Sequence, residues 1–174
     1  MKTVRHSVIW ILLCVAVATP LIAASQSPLL AWRQPVYVAA GFAGIIALCL
    51  MLVQPLLIGG SLPGLRAATR WYLHRLTGVL IVTMVLAHVG GLWITSPLDV
   101  VDAFLLRSPT PFSFWGVLAF WVLLLALGTA LLRRKLKISA RIWRLVHTSL
   151  AVIVVVGTVL HALAIEETME PNTK

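Results

Sequence analysis

Four histidines, His74, His88, His147 and His161, are the side chains of this 174-residue chain whose type and spacing could do chemistry. They form two pairs, His74/His88 and His147/His161, each separated by 14 residues. At 100° per residue, such a step falls about 40° short of four full turns. On a helix both imidazoles therefore leave nearly one face, about 21 Å apart along the axis. If the two segments run in the same direction through one layer, His74 shares a level with His147, and His88 shares one with His161. Each level then offers two imidazoles and no carboxylate or thiolate, which suits a tetrahedral zinc site poorly. Two facing imidazoles do suit both axial positions of a low-spin haem iron, a site for electron transfer rather than oxygen binding. A polar group in hydrocarbon costs free energy unless it finds a partner, so the set implies a shared ligand or a relay. Transient metal ligation, a proton relay and hydrogen bonding to a neighbouring helix are the other readings of the same residues.

The elements that must position these histidines are legible in the composition. Hydrophobic residues make up 60% and charged residues 11% of the chain, with a mean hydropathy of +1.01, far more apolar than a water-soluble domain. About 20 apolar residues in helical form span a bilayer core. Five stretches meet that length, Ser7–Ala24, Val36–Ile58, Tyr72–Thr95, Phe112–Leu132 and Trp143–Ile165. Between them lie turn compositions, Gly59-Gly60-Ser61-Leu62-Pro63-Gly64 and Ser108-Pro109-Thr110-Pro111. The expectation is an all-α, five-span transmembrane bundle forming a single domain over residues 1–174. His74 and His88 fall in its third span, and His147 and His161 in its fifth.

The net charge of +9 would point to nucleic acid in a soluble protein. Here the basic residues occupy short loops between apolar runs, where membrane orientation accounts for them, so nucleic acid is not expected. One side collects Lys2, Arg5, Arg66, Arg70, Arg75, Arg133, Arg134, Lys135, Lys137, Arg141 and Arg144, and the other only Arg33, Arg107 and Lys174. Positively charged loops are retained in the cytoplasm, which predicts a cytoplasmic N-terminus and a third and fifth span running in parallel. The acidic residues Asp99, Asp102, Glu166, Glu167 and Glu170 all fall on the outer side. Met1–Ser25 also has the basic start, apolar run and small residues of a signal peptide. The length of its apolar stretch favours a retained helix, and the later spans keep their orientation either way. The expected location is a membrane, the bacterial cytoplasmic membrane in particular.

Around the histidines, Gly78, Gly90, Gly91 and Gly157 remove bulk, which either makes room beside a ligand or lets helices approach. Arg66, Arg70, Arg75, Arg141 and Arg144 stand at the cytoplasmic end, where they set topology and could bond the propionates of an inner haem. Arg33 and Arg107 are the corresponding candidates on the outer side. Trp71, Trp93, Trp115 and Trp143 sit near span ends, as an interfacial aromatic belt would. Cys14 and Cys49 lie in separate apolar runs without metal-ligand spacing and read as packing residues.

The segments RWYLHRLTGVLIVTMVLAH and RRKLKISARIWRLVHTSLAVIVVVGTVLH resemble the ferric reductase-like transmembrane domain. That family includes the membrane cores of ferric reductases and NADPH oxidases and the haem-binding membrane subunit of the bacterial methionine sulfoxide reductase system. The resemblance implies two haem b groups held by His74, His88, His147 and His161, and electron passage across the membrane. Family members commonly have six spans, whereas five are read here. Many continue into a flavin and nicotinamide domain, of which this sequence offers no GxGxxG sign. A quinol or a separate flavoprotein is therefore the expected donor, with an acceptor on the outer side. A histidine-based metal or proton transporter and a non-catalytic membrane anchor are the alternatives.

Overall fold

A computed structural model describes residues 2–169 of the chain. Glu170 and Lys174, and the side chains of Lys2, Glu166 and Glu167, which entered the charge asymmetry, lie outside what is described. Six α-helices occur among the described residues, with no strand: α1 (Lys2–Ser25), α2 (Pro35–Gly59), α3 (Ala67–Thr95), α4 (Pro97–Phe104), α5 (Pro111–Leu132) and α6 (Ala140–Met169). A short 3-10 turn covers Pro28–Trp32. Five of the helices are long and apolar enough to cross a membrane, as the apolar runs predict, and the chain is an integral membrane protein in contact with lipid.

The helices overrun the apolar stretches. α3 begins at Ala67 and α6 at Ala140, several residues before the hydrophobic segments they carry. A helix entering the headgroup region keeps its backbone bonds, so the fall in hydropathy does not end it. Pro35 and Pro111 open α2 and α5, where a proline lacks only an N–H that has no intrahelical acceptor. α2 closes at Gly60, whose φ of 72° is the left-handed cap that glycine adopts without steric cost. Within the spans, the hydroxyls of Thr19, Thr77, Thr83 and Thr95 return to carbonyls four residues back, meeting their own need in an apolar medium.

The helices group into two compact units, one up to Pro97 and one from Leu98 on. In the first, α2 and α3 form an antiparallel hairpin closed by residues 60–66. Its seam is built from small residues: Ala40, Ala43 and Ala47 on α2 are buried, and a Cβ at Gly91 of α3 would come within 2.7 Å of the Ala40 Cβ. Small side chains let helix backbones approach closely enough for dispersion contacts and backbone polar bonds, which hold helices together in lipid. α1 lies against α2 more lightly: the buried Cys49 Sγ reaches Val17 O at 3.6 Å, and none of the apolar window of α1 is buried.

In the second unit, α5 and α6 form a hairpin of the same kind, closed by residues 133–139. Ala119 and Ala126 on α5 are buried, and a Cβ at Gly157 of α6 would stand 3.3 Å from Ala119 Cβ. α4 is not foreseen from composition, because eight residues are too few to register as a span. Its Phe104 ring meets Phe120 and Trp121 edge-on, with centroids at 5.3 and 6.0 Å. The end of the short helix is thus packed on the aromatic side of α5.

Candidate functional site

Each hairpin places its two histidines on the returning helix and does so in the same register. His74 and His88 are the seventh and twenty-first residues after Ala67, and His147 and His161 the seventh and twenty-first after Ala140. Both connections, 60–66 and 133–139, are seven residues long. The far histidine of each hairpin is therefore carried to the same place against the preceding helix.

There the two hairpins repeat one arrangement. In the first, His88 Nδ1 lies 2.8 Å from the Ala40 carbonyl oxygen of α2. In the second, His161 Nδ1 lies 2.7 Å from the Phe112 carbonyl oxygen of α5. A carbonyl oxygen only accepts, so in both rings Nδ1 carries the proton, and in the neutral ring Nε2 carries the lone pair. Histidines that bind metals are generally held in this way, one nitrogen donating to a carbonyl and the other facing the metal. Phe112 also meets His161 edge-on, with ring centroids 5.8 Å apart.

The near histidines have different surroundings. His74 meets Trp71 edge-on at 6.3 Å. Its backbone carbonyl accepts from Gln54 Nε2 at 3.2 Å, and the same amide nitrogen donates to Thr77 Oγ1 at 3.1 Å. His147 instead stacks on Trp143, with centroids 5.0 Å apart and planes 14° from parallel. The Arg133 guanidinium lies over that indole, 4.5 Å from the ring centre. Gln54 Oε1 and Trp143 Nε1 are buried and have no hydrogen-bond partner among the described residues.

The candidate arginines divide by helix. In the first unit, Arg66 is the N-cap residue of α3, Arg75 is exposed one residue beyond His74, and Arg70 packs its guanidinium against Gly60 at the end of α2. Arg33 lies over the Tyr37 ring, 4.8 Å from its centre. In the second, Arg141 and Arg144 are exposed in the opening turns of α6, and Arg107 is exposed in the turn after α4. Arg66, Arg70 and Arg75 are thus gathered at the near-histidine end of the first hairpin, and Arg141 and Arg144 at that end of the second.

Three of the four glycines singled out by sequence face neighbours within their hairpins, whereas a Cβ at Gly90 would meet nothing within 4 Å. Gly91 faces Ala40, Gly157 faces Ala119 and the Trp115 carbonyl, and Gly78 faces the Gln54 amide. The glycines that make room for imidazole rings are Gly44 and Gly116, which the sequence does not distinguish from packing residues. The signal that finds them is the hairpin register: they precede His88 and His161 by 44 and 45 residues.

The fold and these residues define a helical membrane protein that keeps imidazoles at two levels on each of two returning helices. Residues 43–158, about two thirds of the chain, match the family described as ferric reductase like transmembrane component, and the chain belongs to that family. Membrane domains of this family generally bind haem, and membership makes the chain a membrane component of the redox, electron-transferring class. The match takes in His74, His88 and His147 and stops three residues before His161. No curated protein and no solved structure matches the chain.

Proposed function

We propose that the protein is a dihaem b-type cytochrome subunit that transfers electrons across the membrane, from a quinol or a separate flavoprotein to an acceptor on the outer side. The observation that carries this reading is the recurrence of a metal-ready imidazole. His88 and His161, in two separate hairpins, both commit Nδ1–H to a backbone carbonyl and present Nε2 as the lone-pair nitrogen. The donor set fits haem: imidazoles suit its iron, and each returning helix carries two of them.

In this reading His74 and His147 would hold the inner haem, and His88 and His161 the outer one. Bound haem supplies one-electron chemistry, and the protein supplies ligation, orientation and a low-dielectric surrounding. Trp143 packs flat on His147 and limits the rotation of that ring. Gln54 ties the His74 carbonyl to α2, so that helix and ligand move together. Arg66, Arg70, Arg75, Arg141 and Arg144 offer guanidinium donors to the inner propionates, and Arg33 and Arg107 to the outer.

The test is a reduced-minus-oxidised optical spectrum of the folded protein purified with added haem precursor, with haem quantified per chain. Two b-type haems per chain, reducible by a quinol or a flavoprotein system, is the expected result. Folded protein without b-type bands overturns the reading in favour of a histidine transporter. Haem that no donor reduces turns it toward an anchoring subunit.

A further inference from the structure

We infer that Gly44 and Gly116 are positioning residues for the two outer histidines, each opening a slot in which an imidazole reaches a helix carbonyl that a side chain would otherwise cover. In an α-helix the carbonyl of residue i points toward residue i+4 and already accepts its N–H, leaving one lone pair. The Cβ of residue i+4 leans back toward the helix N-terminus and lies over that carbonyl. Gly44 is four residues after Ala40, and Gly116 four after Phe112, so at both places the covering atom is missing.

The imidazoles fill the space. A Cβ at Gly44 would stand 3.0 Å from His88 Nδ1 and 3.2 Å from its Cε1. A Cβ at Gly116 would stand 2.8 and 3.0 Å from the same atoms of His161. Contacts that short require the ring to shift, and a shift lengthens bonds of 2.8 and 2.7 Å to the two carbonyls. The ring then loses the partner that fixes its tautomer and its rotation. Each slot lies wholly inside one hairpin, and its appearance in both makes the second an independent instance of the first. The same helices carry built-in controls, because a Cβ at Gly41 of α2 or Gly128 of α5 meets nothing within 4 Å.

The slots themselves do not depend on a cofactor; their role in presenting Nε2 to iron rests on the haem reading above. The experiment uses the full chain in lipid nanodiscs, before and after loading with haemin, and reads ¹⁵N NMR of the histidine rings together with haem affinity and the EPR g-values of the oxidised haems. In the wild-type chain before loading, His88 and His161 carry the proton on Nδ1. Gly44→Ala perturbs the His88 ring alone and Gly116→Ala the His161 ring alone. Each substitution lowers outer-haem affinity about 10- to 100-fold, the usual effect of removing a partner of a metal-bound histidine. Both change the outer haem's g-values and leave the inner haem unchanged. Gly41→Ala and Gly128→Ala change neither ring nor haem.

The inference is overturned if wild-type His88 or His161 carries its proton on Nε2, a result that needs no variant to fold. It is also overturned if Gly44→Ala and Gly116→Ala behave as their controls do. Ring perturbation as expected in a chain that binds no haem would leave the slots standing and remove the haem reading, so the two fail separately.

Discussion

The hairpins α2–α3 and α5–α6 share their connection length and their histidine register, and where the returning helix reaches its far histidine they also share their chemistry. Each gives that ring a carbonyl 2.7–2.8 Å away and a glycine one turn on. At the near histidine they part. The first hairpin braces the backbone of His74 with the Gln54 amide, whereas the second clamps the ring of His147 against Trp143 under the Arg133 guanidinium. A shared backbone device can persist whatever side chains surround it, because a carbonyl occurs at every position and only the covering Cβ must be absent. Side-chain devices have no such constancy, and the two hairpins meet the same need with unrelated residues.

The sharpest way to break this comparison is to remove the histidines proposed as ligands. Replacing His88 or His161 by alanine should each abolish the outer haem, and replacing His74 or His147 the inner one, halving haem per chain in every case. Optical and EPR spectra of the four variants check it, and a crossed pattern of loss would refute the pairing by level. Next in size is the tryptophan contrast. Trp143→Ala should lower inner-haem retention several-fold, because a stacked ring is lost beside His147. Trp71→Ala should do much less, since Trp71 is 54% exposed and meets His74 only edge-on. Haem titration of both variants measures the difference, and equal effects would erase the distinction between the two near histidines.

Gln54→Leu removes two hydrogen bonds inside the first hairpin only. Polar bonds between membrane helices contribute about 0.6–2 kcal/mol, so a loss of that order is expected in a thermal or denaturant assay in detergent, with the outer haem's spectrum unchanged. Smallest is Arg133→Gln. A half-exposed cation near an oxidised haem contributes about 1 kcal/mol or less, so the inner midpoint potential should fall by on the order of tens of millivolts. Potentiometric titration checks the sign: removing a positive charge makes reduction harder.

Much of the fold is legible in the sequence, because hydrocarbon imposes a length and a composition that a span must meet. The five apolar runs mark five helices for that reason. The helix ends are less legible: nothing in Ala67 or Ala140 announces a start, and backbone bonding continues past the apolar boundary. α4 escapes because an octet is too short to register as a span, and the rings that Phe104 packs on, Phe120 and Trp121, are distant in sequence. The histidines are conspicuous as polar residues in apolar runs, but their acceptors are not. A carbonyl of Ala40 or Phe112 has no sequence signature, and Gly44 and Gly116 look like any glycine of a packed span until the hairpin register is known. Arg70 is conspicuous by its charge, but its place beside the Gly60 turn has no sequence signature either.

The stretch of 14 residues between the histidines of α3, repeated in α6, constrains how such a chain can change. One residue inserted between His74 and His88 would turn everything beyond it by about 100° and carry His88 away from the Ala40 carbonyl. The same insertion in the connection 60–66 could be absorbed as a wider bend. Length variation among descendants of this chain should therefore collect in the connections and be purged from the interval between the histidines, which acts as a ruler whose unit is the helical turn.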